Sequence, residues 1–193
     1  MSSGRLPIPM VTERLTLRSY TNEDAAWYYE MSLRNRDHLR RYESGNVAMS
    51  LTSEEHARKT LNELARYWNE GTCYFIGAFG KATDDFVAQM YVGPFNREPV
   101  EFIIGYIADC AHEGQGFVTE AVKVTVENIF DHLEADQVRI HCDETNGRSR
   151  RVAERCGFRL EKTFPEEKQD ADGMLQMCTT AVYLRLRSDH ASR

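Results

Sequence analysis

The chain has 193 residues, 41% of them hydrophobic, and a formal net charge of −6 at pH 7. This length suits one α/β domain with a substantial core, and the acidic balance argues against nucleic acid as the main partner. The sequence has no run of 18 apolar residues and no apolar N-terminal segment. We therefore expect a cytoplasmic protein that neither spans a membrane nor is exported.

In chain order, the apolar pattern predicts a strand over residues 12–19 and a helix over residues 22–33, with Ala25, Ala26, Tyr29 and Leu33 as its apolar residues. Thr52-Ser53-Glu54-Glu55 is typical of a capping box, and it begins a second helix that Gly71 ends. Strands are predicted at residues 73–79, 86–93 and 100–107. A third helix carries the apolar stripe Val122, Val126, Ile129, Phe130 and Leu133.

The last predicted elements are a strand over residues 138–142, a short helix that ends at Gly157, and strands over residues 158–164 and 174–187. No low-complexity linker interrupts this order, so we expect one domain over residues 1–187. Residues 188–193 are expected to be a frayed tail.

Gly114 and Gly116 lie between the strand that ends near Ile107 and the third helix. Glycine reaches positive φ and lets backbone N–H groups approach an anion, and a helix N-terminus attracts negative charge. The glycines alone are equally compatible with a simple turn that begins the helix. The dinucleotide pattern G-x-G-x-x-G fails at Thr119, and the Gly-Lys-Ser/Thr of a triphosphate loop is absent.

Three segments together resemble the GNAT superfamily of acyl-CoA-dependent N-acetyltransferases. The glycine turn continues into Phe117 and Thr119-Glu120-Ala121, as in the family's phosphate loop, although Ala111 replaces the usual Gln or Arg. Residues 146–158 are similar to the family segment N-x-x-S-x-x-V-A-E-[KR]-x-G-F. Residues 12–18 read T-E-R-L-T-L-R, which is typical of the subgroup that acetylates ribosomal protein N-termini.

This resemblance implies an α/β (α+β) fold with a mixed, mostly antiparallel central sheet, splayed at the acyl-CoA site and flanked by helices. It implies acetyl-CoA as the cosubstrate, with its pyrophosphate at the glycine turn and its pantetheine arm along the backbone of residues 107–109. The implied cofactor-binding residues are Ile107, Ala108, Asp109, Gly114, Gln115, Gly116, Phe117, Val118, Thr119, Asn146 and Ser149.

Five arginines crowd the second family segment, and they have two interpretations: contacts to the phosphates of CoA, or a solvated face paired with Glu154 and Glu161. They are Arg148, Arg150, Arg151, Arg155 and Arg159.

Transfer of an acetyl group from a thioester requires a neutral amine, stabilisation of the oxyanion and a proton for the departing thiolate. At pH 7 an α-amine costs about 1 kcal/mol to deprotonate, whereas a lysine side chain costs about 4.6 kcal/mol. An α-amine therefore needs less help from a base. The resemblance implies direct attack of the amine in a ternary complex.

Candidates for the base come from two places in the chain. Glu101 lies on the strand over residues 100–107, where it acts directly or through a water, and Glu166 or Glu167 is the counterpart of a glutamate used in the ribosomal subgroup. Water alone is the third alternative. Ser149 is the candidate acid, because Ala153 stands where many members have a tyrosine; its other interpretation is a polar residue that caps the helix start.

The acceptor is less constrained than the cofactor. The resemblance favours a protein N-terminal α-amine, with aminoglycoside-type or polyamine-type amines as the alternative and a catalytically silent acyl-CoA sensor as a third possibility. Residues 37–53 and 94–99 are expected to choose the acceptor, and Tyr42, Tyr91 and Phe95 are candidates to line its pocket. Five cysteines without a C-x-x-C pair predict neither a disulfide framework nor a metal site. The sequence leaves open whether the protein forms a homodimer.

Overall fold

The computed structural model describes residues 4–170 and 172–190. Its strands are β1 (Met10–Val11), β2 (Leu15–Arg18), β3 (Tyr74–Gly80), β4 (Phe86–Arg97), β5 (Val100–Ala108), β6 (Gln137–Asp143), β7 (Arg159–Gln169) and β8 (Leu175–Leu186). Its α-helices are α1 (Ala25–Leu39), α2 (Glu54–Glu70), α3 (Phe117–His132), α4 (Gly147–Arg155) and α5 (Arg187–His190). Short 3₁₀ turns cover Asn22–Asp24, Val47–Ser50 and Cys110–His112.

All eight strands belong to one sheet, in the spatial order β1-β2-β3-β4-β5-β6-β8-β7. Every neighbouring pair is antiparallel except β5 and β6, which are parallel because α3 crosses between them. The predicted mixed, mostly antiparallel sheet flanked by helices is confirmed.

The sheet has a hydrophobic cluster on each face, as alternation of side chains along a strand requires. Ala88 and Met90 of β4 belong to the cluster that contains α3, in which Val122, Val126, Ile129 and Phe130 are fully buried. Gln89, between them, faces α1, and its Oε1 accepts hydrogen bonds from the Tyr20 and Tyr28 hydroxyls at 2.9 and 2.8 Å. The apolar stripe predicted for α3 is therefore the one that packs on the sheet.

The helix α2 ends at Gly71 as predicted and begins within the predicted Thr52–Glu55 segment, but the predicted capping box does not form, because the N3 residue after the Ser53 cap is His56. Ser53 is its N-cap and accepts a hydrogen bond from the backbone N–H of His56, and Gly71 ends the helix at φ +68°. No helix among the residues described here is long and apolar enough to cross a membrane.

Two sequence expectations differ from the structure. The helix α1 continues to Leu39, and Ala26 and Leu33, predicted on its apolar face, are exposed because Tyr28, Met31 and Asn35 face the protein instead. Residues 187–190, most of them in the predicted frayed tail, form α5. Its His190 ring stacks on Phe130 and lies 3.0 Å from the Asp131 carboxylate. The rest of the tail lies outside the described residues.

Candidate active site

The strands β5 and β6 part from each other soon after they begin. In the described chain they pair only at Glu101–Gln137, Phe102–Val138 and Ile103–Arg139. Beyond this point β5 stays paired with β4 as far as Ala108, opposite Ala88, so only its edge toward β6 becomes free. The parting leaves backbone groups of residues 104–108 open to a ligand that lies between the strands.

A groove of about 940 Å³ runs from this parting to the N-terminus of α3. Most of the predicted cofactor-binding residues line it: Ile107, Ala108, Gly114, Gly116, Phe117, Val118, Thr119, Asn146 and Ser149. The structure brings these residues together from β5, α3 and α4. In the chain, β6 separates α4 from the other two elements.

The glycine turn has the geometry that its sequence predicts. Gly114 and Gly116 have φ +74° and +82°, and Gly116 is the N-cap of α3. Any other residue would be strained at these angles. The first N–H groups of α3 have no partner within the helix, and the helix dipole adds positive potential there. The turn can therefore hold an anion such as a phosphate group.

Residues of the N-terminal T-E-R-L segment hold the start of α3 in place. The Glu120 carboxylate accepts hydrogen bonds from Thr12 Oγ1 at 2.5 Å, from the Arg14 backbone N–H at 3.0 Å and from Arg14 Nε at 2.7 Å. Arg14 also donates to the Gln115 carbonyl at 3.0 Å. Although burial opposes ionisation, these hydrogen bonds lower the pKa of Glu120. Two of the three family segments thus contact each other at the phosphate loop.

Asp109 and Gln115 contribute to the loop differently from the other predicted residues. The Asp109 side chain is fully buried and accepts hydrogen bonds from Arg34 and Asn35 of α1, at 2.8 and 2.7 Å, and it contacts His112. Burial opposes ionisation, but these hydrogen bonds lower the pKa of Asp109. Gln115 is exposed, and its carbonyl is bonded to Arg14. Neither side chain lines the groove. The Asp109 carboxylate and the Gln115 carbonyl group hold the loop from outside it.

At the other wall of the groove, Asn146 is the N-cap of α4 and accepts a hydrogen bond from the Ser149 backbone N–H at 3.1 Å. Asn146, rather than Ser149, therefore caps this helix. The Ser149 hydroxyl is free to face the groove, where it lies 3.0 Å from the Tyr106 hydroxyl. Burial raises the pKa of Tyr106 well above its ordinary value, so its phenol stays protonated.

Three of the five candidate arginines line the groove, namely Arg148, Arg151 and Arg155. Arg148 forms an ion pair with Glu113 of the phosphate loop. Arg150 instead donates to the Tyr183 hydroxyl at 3.0 Å, and Arg159 is highly exposed. Glu161 pairs with Arg139 and not with these arginines, and Arg159 lies 3.8 Å from Asp189. Contact of the groove arginines with the phosphates of CoA stays a prediction.

A second cavity, of about 750 Å³, lies beside the groove on the face of the sheet that carries α1. Its walls are the loop after α1, the sheet residues Phe75, Gln89 and Tyr91, and the end of the β7–β8 hairpin, including Lys168 and Asp170. Tyr42 and Tyr91 line it, whereas the Phe95 ring packs against His141 and Arg139. Residues 168–170 and Gly173 line this cavity, and residues 94–99 do not. That residues 37–53 and 94–99 choose the acceptor stays a prediction.

Among the described residues, three line both cavities: Tyr42, Glu43 and Tyr106. Glu43 was missed in the sequence, because it is an isolated glutamate in a segment without helical or strand periodicity. Burial raises the pKa of Glu43 to about 7, against a smaller opposing effect of Lys168. No described residue donates a hydrogen bond to its carboxylate.

The glutamates proposed from the sequence as bases lie elsewhere. Glu101 is 2% exposed at the closed end of the β5–β6 pair and is bonded to Arg139, which also contacts Glu161. The Glu166 carboxylate accepts a hydrogen bond from the Thr180 hydroxyl and forms an ion pair with Lys168. Glu167, its neighbour on β7, is exposed. None of these three lines either cavity, and the role of Glu101 or Glu167 as the base stays a prediction.

Within residues 4–170 and 172–190, no three His, Cys, Asp or Glu side chains are grouped as a metal site would require. The five cysteines, all of which are described, are free thiols. The prediction that no metal takes part stays a prediction.

The sheet with one parted strand pair, the glycine turn and the helix behind it define an acetyltransferase-type fold. The family model of the GNAT acetyltransferase domain matches residues 14–159. The chain therefore belongs to the GNAT acetyltransferase family.

Named relatives agree with this assignment. The chain is 30% identical over 108 residues to the probable N-acetyltransferase YjcK of Bacillus subtilis, a match that covers 55% of this chain and 60% of that protein. It is 29% identical over 154 residues to the ribosomal-protein-serine acetyltransferase of Escherichia coli, which covers 78% of this chain and 82% of that one.

Solved structures share the fold. RimL, a ribosomal L7/L12 α-N-protein acetyltransferase solved with coenzyme A, superposes with a TM-score of 0.79 at 20% identity, over 93% of this chain and 98% of its own.

Proposed function

We propose that this protein is an acetyl-CoA-dependent N-acetyltransferase that modifies a primary amine. The observation that carries the proposal is the meeting of two cavities at Tyr106 and Glu43, one ending at an anion-binding turn and the other open to an acceptor. Such an arrangement lets two substrates meet without a covalent enzyme intermediate, by direct attack in a ternary complex.

The groove residues suit acetyl-CoA as cosubstrate. The Gly114–Gly116 turn and the first N–H groups of α3 would hold the pyrophosphate, with Arg148 and Arg151 nearby for further phosphate contacts. The free edge of β5 near Ile107 would hydrogen-bond the pantetheine arm and polarise the thioester oxygen. Because these contacts are mostly with backbone groups, the replacement of the usual Gln or Arg by Ala111 is tolerated.

For proton transfer to the sulfur we propose Ser149. Its hydroxyl lines the groove 3.0 Å from the neutral Tyr106 phenol, which donates to the Ser149 carbonyl at 3.0 Å and so holds this residue in place; solvent water replaces the proton that Ser149 gives up. The amine nitrogen forms its bond to the carbonyl carbon, the C–S bond breaks, and the thiolate takes the Ser149 proton.

The acceptor we propose is a protein N-terminal α-amine. Two relatives are named as enzymes that act on ribosomal proteins. An α-amine also loses its proton near neutral pH, which reduces the demand on the enzyme. A second candidate is a small amine such as a polyamine or aminoglycoside, because a cavity of about 750 Å³ lies in the size range of small-molecule sites.

The test is release of free CoA thiol from acetyl-CoA in the presence of an acceptor panel. The panel contains short peptides that begin with Ser, Ala or Met, a matched set with acetylated N-termini as the control, and spermidine and kanamycin. We expect thiol release with at least one free-amine peptide and none with its acetylated partner. Release with spermidine or kanamycin alone would favour the second candidate. Tight CoA binding without amine-dependent thiol would indicate a sensor and reject the enzymatic proposal.

A further inference from the structure

The loop between α1 and the 3₁₀ turn Val47–Ser50 holds Glu43 at the junction of the two cavities. Its backbone N–H donates to the Leu39 carbonyl at 2.8 Å, and its carbonyl accepts from the Asn46 N–H at 2.9 Å. Glu43 is therefore fixed on both sides by main-chain hydrogen bonds, and its position does not depend on a flexible loop.

The neighbours of Glu43 tie this loop to both substrate sites. The Tyr42 hydroxyl contacts Thr145, next to the N-cap of α4, at 3.3 Å. The Ser44 hydroxyl donates to the Gln169 carbonyl at 3.3 Å, at the end of β7. Between these anchors the Glu43 side chain lines the groove and the acceptor cavity together. A reacting amine must cross this junction to reach a thioester held along β5.

Resting on the function proposed above, we infer that Glu43 binds the acceptor ammonium group and removes its proton before attack. The carboxylate takes one proton from the ammonium, and the nitrogen lone pair then attacks the thioester carbon. As the amide forms, the second proton leaves the nitrogen for solvent water, while the sulfur takes a proton from Ser149, which regains one from solvent. Glu43 returns its proton to solvent.

The electrostatic surroundings of Glu43 suit this role. A general base works best when its pKa is near the working pH, and burial has raised that of Glu43 to about 7. The charged and titratable groups around it are Lys168 of β7, Tyr106 of β5, Asp170 of the hairpin, and His38 and Arg41 on its own side of the groove. Tyr106 is held neutral by burial, and His38 contacts Glu113 at 3.4 Å.

The test compares wild type with Glu43→Gln, using the best acceptor of the panel and acetyl-CoA. We expect kcat/KM for the acceptor to fall about 100-fold or more, the usual contribution of a general base. We also expect the acid limb of kcat/KM, near pH 7 in wild type, to move up to the pKa of the acceptor amine itself, about 7.8 for an α-amine. Glu30→Gln, an exposed change on α1 outside both cavities, serves as the matched control and should leave both quantities unchanged.

A second acceptor separates catalysis from a structural role. When the acceptor amine is replaced by an aminooxy group, the nitrogen is already neutral at pH 7 and needs no base. Glu43→Gln should then lose much less activity than with the parent amine. An equal loss with both acceptors, or a kcat/KM within threefold of wild type, would overturn the inference.

Folding and failure of the wider proposal are checked separately. Calorimetric titration with CoA should give the same affinity for Glu43→Gln and wild type. If that variant does not fold, Glu43→Asp keeps a carboxylate and should retain an acid limb at a displaced pH; an undisplaced limb would count against Glu43. Absence of thiol release by wild type would reject the proposed function itself, whereas an active wild type with an unaffected variant rejects only the role of Glu43.

Discussion

The hydroxyl groups of Ser149 and Tyr106 lie within hydrogen-bond distance where the groove meets the second cavity, which is the proposed acceptor site. Asn146 already caps α4, so the Ser149 hydroxyl is not needed to cap the helix. Helix capping therefore does not explain why this hydroxyl lies beside a buried phenol. A serine hydroxyl alone is a weak acid. The Tyr106 phenol, which also donates to the Ser149 carbonyl at 3.0 Å, fixes the position of the hydroxyl, and in the proposed mechanism solvent water replaces its proton.

We therefore expect Ser149→Ala to lower kcat about 100-fold while the KM for acetyl-CoA changes by less than threefold, since binding rests on backbone groups. Tyr106→Phe keeps the serine and removes only its partner, so its loss should be smaller. Steady-state kinetics of both variants provide the measurement. An unchanged kcat in Ser149→Ala would show that water or another group protonates the sulfur.

At the scale of elements, the start of α3 depends on β2 and the residues before it. Thr12 and Arg14 hold Glu120 in the first turn of α3, and Arg14 extends to the loop carbonyl of Gln115 and lies over the Phe117 ring, 4.6 Å from its centroid. The N-terminal segment thus sets the orientation of the N–H groups that face the groove, although it lies about a hundred residues earlier in the sequence.

Arg14→Ala should raise the KM for acetyl-CoA about three- to tenfold with little change in kcat, because the loop loses its support while the reacting groups are untouched. The effect is modest because the Arg14 side chain is 44% exposed. Arg58→Ala removes a comparably exposed ion pair on α2 and should leave the KM unchanged. Equal KM values for wild type and Arg14→Ala would mean that the turn keeps its shape unaided.

The sequence predicted those elements whose pattern is local. The α3 stripe and the start of α2 could be predicted because an apolar period of 3.6 and a serine or threonine helix cap depend on nearby residues only. The inner face of α1 could not be predicted in this way. Asn35 is buried there because its side chain forms hydrogen bonds with Asp109 and with the Cys110 backbone N–H. A buried polar residue breaks the apolar pattern, and its partners lie more than 70 residues away.

The same distinction applies to the site. The phosphate turn carries its own signal in two glycines with positive φ. The proposed base carries no such signal, since nothing near Glu43 in sequence distinguishes it from an exposed loop glutamate. The resemblance to a family supplied Glu101 and Glu167, but long-range pairing places Glu101 against Arg139 and leaves Glu167 exposed.

At the scale of the whole molecule, the two cavities lie along the seam between the first five strands and the last three. Glu43 comes from the early part of the chain and Lys168 from the late part, and they meet across the acceptor cavity. Burial raises the pKa of Glu43, and the positive charge of Lys168 opposes that rise. The protonation of the proposed base thus depends on the packing of both halves.

Lys168→Met should therefore raise the pKa of Glu43 further and move the acid limb of kcat/KM to higher pH. Activity falls most below pH 7 and recovers at alkaline pH, where the carboxylate is ionised in either protein. Lys59→Met, on the exposed face of α2, is the matched control. The measurement is a pH profile of the three proteins, and an acid limb that stays in place would exclude coupling between Lys168 and Glu43.

The free edge of β5 at residues 104–108 lies in the interior of the sheet, not at its border. At a border, such a row of unpaired N–H and C=O groups would invite another protein strand and promote aggregation. Here β6 lies across the opening and pairs with β8 on its other side, so the edge of β5 faces another strand of the same sheet. A narrow ligand can enter the opening between β5 and β6. The protein thus keeps a hydrogen-bonding edge available for a ligand without presenting that edge to other copies of itself.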